Sequence, residues 1–186
     1  MNNKDKLFWI TRSSILIALL IVLQAVTAPL GQFVTGPIVN LMLIISVMTC
    51  GLATGLSVAA ASPVMAKLLG IGPLWSLVPF IAAGNIVSVV LWHYIGNRNM
   101  GHKYAAYVAA LITSSVARFL VLYTGIVKIA VPMILGLPEQ QAAVISIMFS
   151  IPQLINPLIG GTLAIVLLPA LKNAIEESRR GPYDKI

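Results

Sequence analysis

Negative charge is scarce in this chain. Its 186 residues include five Asp and Glu against twelve Lys and Arg, and charged residues make up only 9% of the total. A soluble domain carries roughly 25% charged residues, so a soluble globule of this size could not cover its surface. Cysteine is nearly absent too. Cys50 stands alone, which excludes an internal disulfide. Both histidines, His93 and His102, lie close together in sequence, and Ser88, the serine nearest His93, falls off its helical face. There is no His-Glu-x-x-His, no Cys-x-x-Cys and no Gly-x-x-x-x-Gly-Lys. The sequence therefore offers no paired-carboxylate or serine-histidine chemistry, no metal site, no cofactor site and no means of using ATP. It does not read as an enzyme.

What the chain has in abundance is apolar residues, 59% of the total. They form continuous blocks, each near the roughly 20 residues that cross a hydrocarbon core about 30 Å thick. Barrel strands would alternate instead. The expected fold is an all-α membrane protein with six transmembrane helices, one domain over residues 1–186. The spans are read at residues 8–28, 36–50, 51–69, 74–95, 104–123 and 140–171, with polar tails at 1–7 and 172–186. Gly125, Pro132, Gly136 and Pro138 make residues 124–139 a loop with a short or re-entrant helix. The last block is longer than a bilayer needs, or bends at Pro152 and Pro157. Lys4, Lys6 and Arg12 before an apolar run, with Val26-Thr27-Ala28 after it, resemble a signal peptide. Pro29 at the supposed cleavage point argues for a retained helix.

Basic residues set the orientation. With the N-terminus in the cytoplasm, six spans place Lys4, Lys6, Arg12, Arg98, Lys103, Lys172, Arg179, Arg180 and Lys185 on that side, nine of the twelve. Both termini are then cytoplasmic. The same asymmetry accounts for the net charge of +7, so no nucleic-acid partner is called for.

Arg118 stands out. It lies fifteen residues beyond Lys103, about 22 Å along a helix and past the midplane. A charge at such depth usually faces a cavity or a partner. Either it snorkels to the outer interface, or it bonds backbone carbonyls at a helix break, or it recognises an anion. Lys67 and Lys128 are expected on the same outer side, with Glu139 the one acid near them. That leaves a positive zone which a ligand carboxylate or phosphate, or a lipid headgroup, could neutralise. Asn40, Asn85 and Asn156 fall within apolar spans, and Gln24, Gln32 and Gln153 within or near them. They suit either interhelical hydrogen bonds or ligand contact. Trp75 follows the 70–73 loop and is either an interface anchor or a cover for a ring. Trp9 and Trp92 read as interface anchors near the cytoplasmic side. Small-residue pairs, Ser14/Ala18, Gly51/Gly55 and the ridge Ala53-Ser57-Ala61, permit close helix approach. A proton-coupled carrier would carry an acid or histidine at mid-membrane. Its absence favours a partner-driven process.

Several stretches resemble the substrate-capture subunits (S components) of energy-coupling factor transporters. Arg12 leading into Ser14-Ile-Leu-Ile-Ala18 is similar to that family's Ala-x-x-x-Ala first helix, with serine for the first alanine. Gly36-Pro-Ile-Val-Asn40 looks like its second helix, Gly51 to Gly55 like its turn into the third, and Pro79-Phe-Ile-Ala-Ala-Gly-Asn85 like part of its fourth. The resemblance covers nearly the whole length. It implies capture of a vitamin or similar micronutrient near the outer face of a prokaryotic plasma membrane. It also implies docking through Ser14 and Ala18 onto a coupling membrane protein driven by two ATP-binding cassette ATPases. The loops after the first, third and fifth spans, with Gln32, residues 67–75 and Lys128, would form the lid. The candidate substrate-binding residues are thus Arg118, Lys67, Lys128, Asn85, Asn156, Trp75, Asn40 and Gln32. A small anion, with or without a ring, is the expected ligand. A self-sufficient carrier or channel and a non-transport scaffold subunit are the rival readings.

Overall fold

A computed structural model describes residues 3–72 and 74–180. Helix α1 (Asn3–Thr27) passes through a short 3₁₀ turn (Ala28–Leu30) into α2 (Gln32–Cys50) and α3 (Leu52–Leu68). A second 3₁₀ turn (Trp75–Leu77) opens α4 (Val78–Gly96). Helix α5 (Lys103–Leu122) continues as a π-helix (Tyr123–Ile134), and α6 (Glu139–Met148) and α7 (Pro152–Arg180) complete the chain. Among the described residues, five helical segments are long and apolar enough to cross a membrane, and α3, at 17 residues, is a shorter apolar helix. At 1.5 Å per residue α3 is about 25 Å long, close to the lower limit for a span. The protein is an all-α, multi-pass membrane bundle.

The distribution of polarity supports that conclusion. Val22, Val26, Ile112, Val116, Leu120 and Val166 point outward, whereas Asn40, Asn85, Arg118, Gln153 and Asn156 are buried. Lipid tails are as apolar as leucine, so such a bundle is held by packing and interhelical hydrogen bonds. Helix α2 is central, touching α1, α3, α4 and α7. Its Met42, Leu43, Ile44 and Val47 form the main core with Val89, Trp92 and Leu168. The chain reverses between α2 and α3 on one residue, Gly51, whose φ of 89° and ψ of 175° suit glycine alone. Helix α1 joins α3 through buried polar groups, Ser13 to Thr54 (3.4 Å) and Gln24 to Ser62 (3.5 Å).

Several expectations need correction. Residues 124–139, read as a loop with a short or re-entrant helix, are mostly helix, with only 135–138 non-helical, because Ile126 and Ala130 pack against Leu77, Leu122, Ile145 and Phe149 in a second core. That burial holds the segment helical despite Gly125 and Pro132, and wide i→i+5 turns carry it to Leu135, whose N–H reaches the Ala130 carbonyl (2.9 Å). Of the two prolines expected to bend the last apolar block, Pro152 does so: the block breaks after Met148, and α7 starts at Pro152, where a missing N–H costs nothing. Pro157 lies inside α7. The region read as a C-terminal tail is helical to Arg180, and the rest of that tail lies outside the described residues. Trp92 is no interface anchor. It is 1% exposed and tilts against Tyr107, ring centroids 6.4 Å apart. The inner face of α3 is Thr54, Gly55, Val58, Ala59 and Ser62, so Ala53-Ser57-Ala61 is not its packing ridge.

Candidate functional site

Two prolines create the chemistry of the interior. In an α-helix a carbonyl accepts from the N–H four residues later, and proline has none to give. Pro63, inside α3, thereby frees the carbonyl of Ala59. Asn85 of α4 donates to that carbonyl through Nδ2 at 3.2 Å. Its remaining atom, Oδ1, faces α5 and accepts from Arg118 Nη1. A carbonyl, an amide and a guanidinium thus form a relay across three helices. The relay also fixes the amide's orientation, since the reverse would set Oδ1 against a carbonyl oxygen.

Pro152 does the same for Met148. Among the described residues, no backbone N–H takes the Met148 carbonyl at the break between α6 and α7. Gln32 Nε2, from the first turn of α2, donates to it at 3.0 Å, and Gln153 Nε2 at 3.2 Å. The two glutamines tie the start of α2 to the start of α7.

Between these arrangements lies a cavity of about 300 Å³, at the small end of the roughly 300–1,000 Å³ range of ligand pockets. Gln32, Asn40, Lys67, Asn85, Arg118 and Asn156 line it, so the fold gathers six of the eight expected substrate-binding residues around one space. Trp75 and Lys128 are not in the lining. Trp75 is 53% exposed on the 3₁₀ turn before α4. Lys128 lies in the π-helix rather than a lid loop, its ammonium 5.6 Å from the Tyr123 ring.

Arg118 is 5% exposed, so it does not snorkel. Its hydrogen-bond partner is a neutral amide, and its Nε has none. Lys67 reaches the Gly72 carbonyl at 3.2 Å. That contact sits in a Schellman-type turn that ends α3, with the Gly70 N–H on Lys67 O (3.0 Å) and the Ile71 N–H on Ala66 O (2.8 Å). Among the described residues, no acid lines the cavity. Polar atoms without partners cluster in the same wall: Gln24 Oε1, Thr35 Oγ1, Asn40 Oδ1 and Asn156 Oδ1. Unsatisfied buried groups of this kind cost roughly 1–3 kcal/mol each. Among the described residues, no group of His, Cys, Asp and Glu could hold a metal ion.

Gln24 and Gln153, read only as polar amides in or near the spans, and Thr35, Ser62, Met148 and Phe149, given no role from sequence, also line the cavity. For Gln24 a signal existed, because Ser13, Gln24 and Thr27 share the buried face of α1. Met148 and Phe149 gave none, since their role depends on a break that places them beside α2.

The relay predicts a distinctive variant. Pro63→Ala returns an N–H to compete for the Ala59 carbonyl and loosens Asn85, and Arg118 with it. Thermal stability in detergent should hold or rise, because a helical hydrogen bond is regained. Affinity for the cavity's occupant should fall severalfold, as expected for a net hydrogen bond of about 1 kcal/mol. Parallel melting and binding titrations check this split. In comparisons with known proteins, no family model, curated protein or solved structure matches the chain.

Proposed function

We propose that this protein is the substrate-capture subunit of a partner-energised importer, of the S-component type found in energy-coupling factor transporters. The observation that carries the reading is the cavity. It places a buried arginine paired only to an amide, several unsatisfied amide oxygens and no acid in a membrane bundle. A helix-packing role alone does not call for such a wall, because packing amides normally satisfy each other. The captured molecule is a small anionic micronutrient, vitamin-like in size, held near the outer face. The absence of a phosphate-cradling motif in the sequence favours ATP hydrolysis in partner subunits.

Docking to the coupling protein is assigned to α1. Ser14 and Ala18 are exposed on its outer face, whereas Ser13, Leu20 and Gln24 face the bundle. Two small residues four apart let another helix approach closely. With both termini cytoplasmic, the arrangement suits a multi-pass protein of a prokaryotic plasma membrane. Ala18→Phe fills that surface without touching the cavity. Co-expressed with a coupling protein and its two ATPases, the variant should lose co-purification with them and keep its ligand. Retained co-purification together with normal uptake would contradict the docking assignment.

A further inference from the structure

The cavity is deeper than it is polar, and its two cations stand at opposite ends of it. Its lining runs on α2 from Gln32 to Asn40 and on α4 from Val78 to Asn85. At 1.5 Å per residue it is about 10–12 Å deep. Asn85 marks the inner end, where it bonds Arg118 and reaches the Ala59 carbonyl of α3 through Nδ2. Lys67 follows Ala59 by eight residues of α3, which sets it about 12 Å further along the axis, at the mouth. Its ammonium meets the Gly72 carbonyl at 3.2 Å, and both residues line the cavity. Between the two levels the wall is largely apolar, with Pro63 and Ala66 from α3 and Val78 and Ile81 from α4. Two polar groups at that height, Gln24 Nε2 and Ser62 Oγ, bind each other at 3.5 Å.

From this layout we infer the ligand's class: an elongated dianion, with an anionic group at each end and an apolar middle. The inference rests on the capture reading above, which supplies only the inner anion. That inner group pairs with Arg118 in the low-dielectric interior. The outer group meets the Lys67 ammonium at the mouth, and the apolar middle fills the waist between them. Length is therefore part of the recognition. A compact dianion pairs with one cation and carries its second charge into the apolar waist, where desolvation is costly. A monoanion of the right length gains nothing from Lys67. A zwitterion brings a second ammonium up to the first and is repelled. A lipid phosphate presents the same anionic chemistry to Lys67 from the membrane surface, so the two sources must be told apart.

The test is calorimetry on the purified protein, in maltoside detergent and again in phosphatidylcholine nanodiscs. Adipate and suberate carry a carboxylate at each end of an apolar chain. Adipamate, the monoamide of adipic acid, keeps the length and one charge, and malonate keeps both charges without the length. The tighter of adipate and suberate should bind at least about fivefold better than adipamate or malonate, the worth of a partly exposed ion pair. Added salt should erode that margin. Lys67→Gln retains a donor for the Gly72 carbonyl. It should bring adipate down to the level of adipamate and leave adipamate unchanged, whereas a lysine that only holds the turn would shift both alike. Arg118→Gln should weaken both. Adipamate matching the two diacids, a margin that survives Lys67→Gln, or no binding of either diacid at millimolar concentration overturns the dianion class. A margin present in maltoside and absent in nanodiscs assigns Lys67 to lipid phosphate and overturns it as well. Capture is decided separately, by the compound that the native protein carries. A released monoanion keeps capture and overturns the class, and no released compound overturns capture itself.

Discussion

Arg118→Gln should weaken ligand binding by about a hundredfold and leave the bundle folded. The guanidinium is buried, and its partner is the uncharged Asn85 amide. Two charge-assisted hydrogen bonds to a ligand anion, at roughly 1.5–3 kcal/mol each, correspond to at least that factor. Glutamine still reaches toward Asn85 Oδ1 with an N–H, so the link between α4 and α5 has a substitute. Removing a charge from the membrane interior relieves a desolvation penalty, so the melting temperature should hold or rise. Asn85→Asp sharpens the test. It places a carboxylate where the amide oxygen now meets Arg118, supplying an internal anion, and it also gives up the donor to the Ala59 carbonyl, so its stability should fall. Ligand binding should then fall as far as in Arg118→Gln although the arginine is intact. A merely structural arginine predicts the reverse for both variants, with stability lost in Arg118→Gln and affinity little changed in any protein that folds. Equilibrium binding beside thermal unfolding separates the two accounts.

Gly160→Val should be the most destructive single substitution at the α2–α7 seam. Any Cβ at Gly160 overlaps the Pro37 carbonyl oxygen and lies 3.0 Å from the Leu41 backbone nitrogen. Those are backbone atoms, so no rotamer change relieves the overlap and the helices must separate. Overpacking a close-packed interior costs about 1–3 kcal/mol, occasionally more. The seam carries Asn40 and Asn156, so the ligand should be lost along with the stability. A large drop in melting temperature and no measurable binding are the expected results. Thr162→Val, two residues further on, faces outward and should change neither. A Gly160→Val protein with normal stability would mean that α2 and α7 do not pack this closely.

The spans were legible because hydrocarbon imposes a simple rule, and apolar blocks of the right length leave few alternatives. Arg118 and the asparagines were legible for the same reason, since polar groups in such blocks need partners. Their convergence was not. Gly36 and Asn156 meet across 120 positions of sequence, and no local pattern announces that contact. Proline misled the reading in both directions. Pro132 suggested a loop where burial of Ile126 and Ala130 sustains a π-helix. Pro152 and Pro157 looked equivalent, yet only the first begins a helix. Neither Pro63 nor Pro152 announced the carbonyl it frees, because the use of that carbonyl depends on an amide from another helix. Tryptophan was ambiguous for a different reason. One ring suits an interface, a core or a ligand, and Trp92 and Trp75 prove to be buried and exposed in turn.

The central claim is that the cavity beside Arg118 holds a small molecule. Mass spectrometry of compounds released from protein purified in mild detergent tests it most directly. Capture predicts a near-stoichiometric compound, absent from a mock preparation and strongly diminished in Arg118→Gln. Finding only lipid, equally in wild type and Arg118→Gln after expression in rich medium, would contradict it.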